Sequence, residues 1–191
     1  MAPFFKHLSI SMTLVVAACC LFASGASAAE FHSGVHPQTV SGSQSSSHVI
    51  TTNAGTVTCS TVTFSGTTAA KTSSTQTLVP NYDKCTAFGF LNIAFDENGC
   101  AYILNASGTS EIECPSGKQM AIPAPFCTTT IGAQHIASGM VYFNNAGKTD
   151  YTLTTHIEVE IDYNECGTNR TNGSYLGATT MQGSSGSVWY E

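Results

Sequence analysis

The sequence predicts an all-β protein, a single antiparallel β-sandwich, Ig-like or jelly-roll-like, held by three disulfides. Three observations carry this. Ile157, Val159, Ile161 and Tyr163 alternate with His156, Glu158, Glu160 and Asp162, the period-two pattern of a strand with one buried and one wet face. Short runs rich in Thr, Val and Ile are separated by Gly-containing turn clusters, as in sandwiches and barrels. No segment joins helical periodicity to helix-terminal signals.

The elements follow in order. "SSSHVITTNAGTVTCSTVTF" reads as two strands around the turn cluster Asn53-Ala54-Gly55. "TSSTQTLVP" is a strand ended by Pro80 and the polar corner 81–84. "CTAFGFLNIAF" is apolar on both alternating faces, with Phe88 and Phe90 on one and Leu91, Ile93 and Phe95 on the other. That predicts a central strand covered on both sides. "DENG" at 96–99 turns the chain into "CAYILNASGTSEIEC". "PSGK" is a further turn, and "QMAIP" and "FCTTTIG" are short strands. A hairpin about Asn145–Lys148 leads into the long arm that holds residues 156–163. "ECGTNRTNGS" reads as a long polar loop, and "YLGATTMQ" and "SVWYE" close the chain.

The first residues set the compartment. Lys6, an apolar run and the exit Ala26-Ser27-Ala28 describe a signal peptide over residues 1–28. Its apolar middle is shorter than the roughly 20 residues a transmembrane helix needs, so no transmembrane span is expected. Secretion is the expectation. The alternative is a lipoprotein anchored through Cys19, since Val16-Ala17-Ala18-Cys19 resembles a lipobox. Residues 29–47 read as a loosely attached lead-in, and residues 48–191 as the sandwich domain.

The chain carries 12 acidic and 6 basic residues. Lys6 leaves with the signal; Lys71, Lys84, Lys118, Lys148 and Arg170 are scattered singly. With no basic face for a phosphate backbone, nucleic-acid binding is not expected. The expected partner is an extracellular or cell-envelope component, which the sequence does not name; nor does it set the oligomeric state.

Six cysteines remain after the signal: Cys59, Cys85, Cys100, Cys114, Cys127 and Cys166. An even number in an exported chain reads as disulfides, and no close C-x₂-C pair suggests zinc. If 100–114 is a hairpin centred on Ser107, Leu104 faces Ser110, Tyr102 faces Ile112 and Cys100 faces Cys114, within disulfide reach. Elimination then pairs Cys59 with Cys85 and Cys127 with Cys166.

Sites of chemistry are sparse. G-x-S-x-G, H-E-x-x-H, P-loop and dinucleotide motifs are absent from the sequence. The row His156, Glu158, Glu160, Asp162 is the best catalytic alternative, because alternate strand residues lie roughly 6.5–7 Å apart on one face. That is near the separation of an inverting glycosidase pair, and the carboxylates Glu158, Glu160 and Asp162 would also suit calcium. The simpler reading is a solvent face. Cleavage after Ala29 would place His32 third in the chain, where a free amine and an imidazole can hold Cu(II) or Ni(II). His32, His36 and His48 form a looser metal-ligand set, against the simpler reading of exposed polar histidines, and Trp189 and Tyr190 read as aromatics of a closing strand or a sugar platform. No cofactor is expected from these residues beyond the calcium alternative.

"AAEFHSGVHPQTVSGSQ", "HVITTNAGTVTCSTVTFSGT", "PNYDKCTAFGF" and "NGCAYIL" together resemble a group of exported bacterial proteins of unknown function. The resemblance implies secretion and a disulfide-bonded β fold, and transfers no activity. The function expected from all of this is a non-catalytic secreted or envelope-associated recognition or structural module. The alternative is an extracytoplasmic hydrolase or calcium-dependent protein using the 156–162 face.

Overall fold

Thr- and Val-rich alternating segments extend much further than their short apolar runs suggest, because each strand finds a partner along its whole length. The computed structural model describes residues 28–124, 127–136, 139–145 and 152–191. Residues 1–27, which hold Cys19 and all but the last residue of the expected signal peptide, and residues 146–148, where a hairpin turn is expected, lie outside them.

Fifteen strands follow one another: β1 (Phe31–Ser33), β2 (Gln38–Thr52), β3 (Gly55–Thr68), β4 (Thr72–Ser73), β5 (Thr75–Ala87), β6 (Leu91–Ile93), β7 (Ala101–Asn105), β8 (Ser110–Glu113), β9 (Met120–Ala124), β10 (Cys127–Ile131), β11 (Gln134–Ile136), β12 (Gly139–Asn145), β13 (Thr152–Glu165), β14 (Thr168–Gly183) and β15 (Val188–Tyr190). No helix occurs among the described residues, so none there is long and apolar enough to cross a membrane.

Five long strands, in the order β5-β3-β2-β14-β13, form the middle of a 12-stranded antiparallel sheet. Each outer edge of this group is shared by two shorter pieces. β7 and β6 divide the edge of β5, and β12 and β10 divide that of β13. The sheet curls into a half-barrel that packs its concave face on itself, sandwich-like. Its edges are stitched together. Asp96 and Ala121 exchange backbone bonds of 2.9 and 2.8 Å, and the Val141 amide donates to Gly108. The Gln134 side chain donates to the Asp162 carbonyl and accepts from its amide, covering the gap on β13 between β12 and β10. A 3-stranded ribbon, β15-β1-β4, lies across one end.

Alternation in β13 matches burial. Ile157, Val159, Ile161 and Tyr163 face the core, each 7% exposed or less, while Glu158, Glu160 and Asp162 face solvent. The β7–β8 hairpin is centred on Ser107, with Tyr102 opposite Ile112 and Leu104 opposite Ser110. Its ends bring Cys100 and Cys114 to a Cα separation of 4.1 Å, bridged as a disulfide. Cys59 and Cys85 are direct partners across β3 and β5 and are bridged. Cys127 is bridged to Cys166, which ties β10 to the β13–β14 turn.

Four local expectations are corrected. Phe88 and Phe90 are not in a covered central strand: the chain reverses there, and they are 59% and 81% exposed. Phe88 and Gly89 both have positive φ, so the run breaks into β5, a turn and β6, with Ala87 opposite Leu91. The "ECGTNRTNGS" segment is a tight hairpin, not a long loop. Cys166 and Gly167 take φ of 52° and 84°, the pair of positive angles that a two-residue type I′ connection needs. Glu165 then faces Thr168 and the strands run on. Pro80 does not end its strand. It sits opposite Phe64 in β5, at a stretch of the outer edge between the partners β7 and β6, where a missing N–H costs no ladder bond. Residues 31–47, expected as a loose lead-in, are β1 and the first half of β2, with Phe31, Ser33, Gln38 and Val40 buried.

Candidate ligand groove

Glu158, Glu160 and Asp162 stand exposed on the outer face of β13, and His156 lies on the same strand with its backbone between Tyr142 and Ala178. Across the sheet Glu158 faces Leu176 and Glu160 faces Ser174, which adds no second acid or base. Among the described residues, no three His, Cys, Asp or Glu side chains gather as a metal-holding group. Asp96 of "DENG" accepts from the Asn98 amide at 3.0 Å, bonding its own turn.

His48 is the largest departure from expectation. It is 1% exposed, on the concave face of β2, and anchors a chain of buried hydroxyls. His48 Nε2 lies 3.3 Å from the Ala178 carbonyl and 3.2 Å from Thr179 Oγ1. With its proton on Nε2, donated to Ala178, the other nitrogen Nδ1 accepts from Tyr175 OH at 2.6 Å. Tyr175 in turn accepts from Tyr82 at 2.8 Å, and Tyr82 and Tyr102 hydroxyls are 2.9 Å apart. β2, β5, β7 and β14 each contribute one member, so the network pins four strands together. Desolvation lowers the His48 pKa to about 4, and the bond to Ala178 offsets part of that. Desolvation raises Tyr102 to about 12 and lifts Tyr82 and Tyr175 well above the ordinary phenol value. All four groups are therefore neutral near pH 7. Their polar atoms are committed to one another inside the core, an arrangement suited to fixing packing.

Space for a ligand lies instead at the end crossed by β1. Between the β15-β1-β4 ribbon and the ends of β3 and β5 is a solvent-open groove of about 160 Å³. Phe31 and His32 line it from β1, and Thr68, Thr75, Gln76 and Thr77 from the other side. A second hollow under β1 shares Phe31, His32, Thr68 and Gln76, and reaches Trp189, Val40 and Met181. His32 and Trp189 are opposed in the ribbon and their rings stack, centroids 5.1 Å apart and 11° from parallel. Tyr190 packs inward against Phe143 and Phe31, and its hydroxyl donates to the Ala106 carbonyl. Trp189 thus serves the groove end and Tyr190 the core.

Around His32 the backbone is part of the ribbon. Residues 31 and 32 pair with both β15 and β4, and Glu30 and Glu191 exchange backbone bonds beside them. The amide nitrogens that an amino-terminal copper site would use are committed to sheet pairing, which disagrees with the His32 metal idea. The imidazole is a groove wall.

At the opposite end of β5, Phe88 lines an apolar groove together with Val57, Ala87, Ile93 and Ile122.

The sequence singled out His32 as a metal ligand and Trp189 as a closing-strand aromatic or a sugar platform, and missed Gln76 and the threonines. The only trace of the latter is the hydroxyl-rich wording of "TSSTQTLVP", which by itself says nothing of a groove. The pairing of β1 with β4, set by residues about forty apart, creates it. Comparison of the chain with family models, curated proteins and solved structures finds no match.

Proposed function

We propose that this protein is an exported, non-catalytic binding module, secreted or held at the cell envelope, that takes its ligand in the groove beside β1. One observation carries the reading. The groove is an open cleft whose lining side chains include no carboxylate, thiol, amine or guanidinium. His32 is the one titratable group in it. That is a wall built to hold a molecule by hydrogen bonds and ring faces, without the paired acid and base or activated nucleophile that hydrolysis needs. The three disulfides support an oxidising compartment, in keeping with the A-x-A exit of the leader.

The test is a fragment and metabolite screen on the ¹⁵N-labelled protein. The expected result is saturable shift changes that cluster on 31–33, 67–70 and 73–77. Clustering on 156–162, or turnover of any compound, would replace this reading with the hydrolase alternative.

A further inference from the structure

We propose that the groove beside β1 binds a neutral carbohydrate, an uncharged hexose or a short oligosaccharide of such units. The proposal rests on the binding-module reading above and adds the ligand class. Gln76 is the central residue. It is 7% exposed and lines the groove. Its Nε2 donates to the Thr77 carbonyl at 3.0 Å, while its Oε1 has no hydrogen-bond partner among the described residues. That oxygen is not sealed from solvent, so a donor on a bound ligand can take the place of its water.

The neighbouring groups narrow the donor. Thr75 and Thr77 line the same groove, and their hydroxyls bond to no other described side chain or backbone group. Thr68 Oγ1 sits 3.1 Å from Ser33 Oγ, fixed in place at the floor. An anion or cation would enter a wall that offers no counter-charge, at a desolvation cost with nothing to offset it. A purely apolar molecule would cover these hydroxyls and Gln76 Oε1 and leave them unpaired. A sugar satisfies both demands, with hydroxyls for Gln76 and the threonines and a C–H face for the His32 ring. Stacking on Trp189 holds the imidazole plane of His32 in one orientation, as a platform requires.

The chain has a single tryptophan, Trp189, which stacks on the groove residue His32, so intrinsic fluorescence reads the groove through that ring. The experiment titrates the full exported chain with glucose, galactose, mannose, N-acetylglucosamine, maltose and cellobiose, with glucuronate and glucosamine as charged counterparts. Calorimetry and amide shifts are recorded alongside. A saturable emission change is expected with at least one neutral sugar and none of the charged ones. Gln76→Ala should weaken it about tenfold, the size of one lost hydrogen bond. Because Gln76 is buried, the exposed Thr67→Arg is the second variant. It fills the groove from its wall and should abolish binding while near-UV circular dichroism stays unchanged. Sugar binding that survives both variants overturns the site. Binding at 73–77 of charged or apolar compounds only overturns the ligand class and leaves the binding-module reading standing. No response of the groove to any compound overturns both.

Discussion

Acidification should destabilise this protein through His48, and the size of the effect follows from its burial. In the folded state the imidazole is neutral and its pKa is lowered from 6.5 to about 4 by desolvation. In the unfolded chain it titrates near the ordinary value. Between those two pH values the unfolded chain takes up a proton that the native state refuses, so the free energy of unfolding falls as pH drops from 6.5 towards 4. Above 6.5 both states are neutral at this site and nothing is lost. A displacement of this size corresponds to roughly 3 kcal/mol across the window, a large share of the 5–15 kcal/mol of a typical domain. The assay is urea unfolding, disulfides intact, at a series of pH values from 7 to 4, for the wild type and His48→Gln. Glutamine can still accept from Tyr175, yet it does not titrate. Other groups contribute to both curves, so the difference between the proteins isolates His48. The variant is expected to be the less stable at pH 7 and to close that gap by roughly 3 kcal/mol at pH 4. Parallel pH dependences would refute the claim that a neutral, buried His48 sets acid sensitivity.

Three further outcomes are expected. Gly177→Ala should destabilise by about 1–3 kcal/mol in chemical denaturation, because a Cβ there would stand 2.4 Å from His48 Nδ1; a neutral result would mean that the imidazole has room to move. Replacing Cys100 and Cys114 together by serine should cost roughly 3 kcal/mol and leave the fold intact by circular dichroism, since Tyr102, Leu104 and Ile112 remain buried around the hairpin. Millimolar calcium, with or without EDTA, should leave the melting temperature unchanged, because Glu158, Glu160 and Asp162 stand exposed on β13 with no enclosing oxygens; a shift reversed by EDTA would revive the calcium alternative.

What could be read from the sequence alone was local. The strand around 157–163 was legible because side-chain direction alternates every residue, so one buried face writes itself into the order of residues. The Cys100–Cys114 hairpin was legible because equal spacing about Ser107 fixes its register. The absence of helical patterning and the even cysteine count set the all-β, disulfide-bonded class in the same way. Where a local rule had two outcomes, contacts elsewhere chose between them. "AFGF" has the composition of a strand, yet positive φ at Phe88 and Gly89 turns it and lays the Phe88 ring against Gly55. His48 is a polar residue in a polar stretch. It is buried because Ala178, Tyr175 and Tyr82 arrive from distant strands to satisfy it, and because Gly177 leaves the space its ring fills. The groove has the same origin. Phe31, Gln76 and Trp189 are far apart in the chain and meet only when β1 inserts between β4 and β15. Residue order thus determined the strand class of the chain and that Cys100 can face Cys114, since both depend on neighbours a few positions away. Burial of a histidine and the shape of a site depend on pairings across the whole chain, and only the closed tertiary structure decides those.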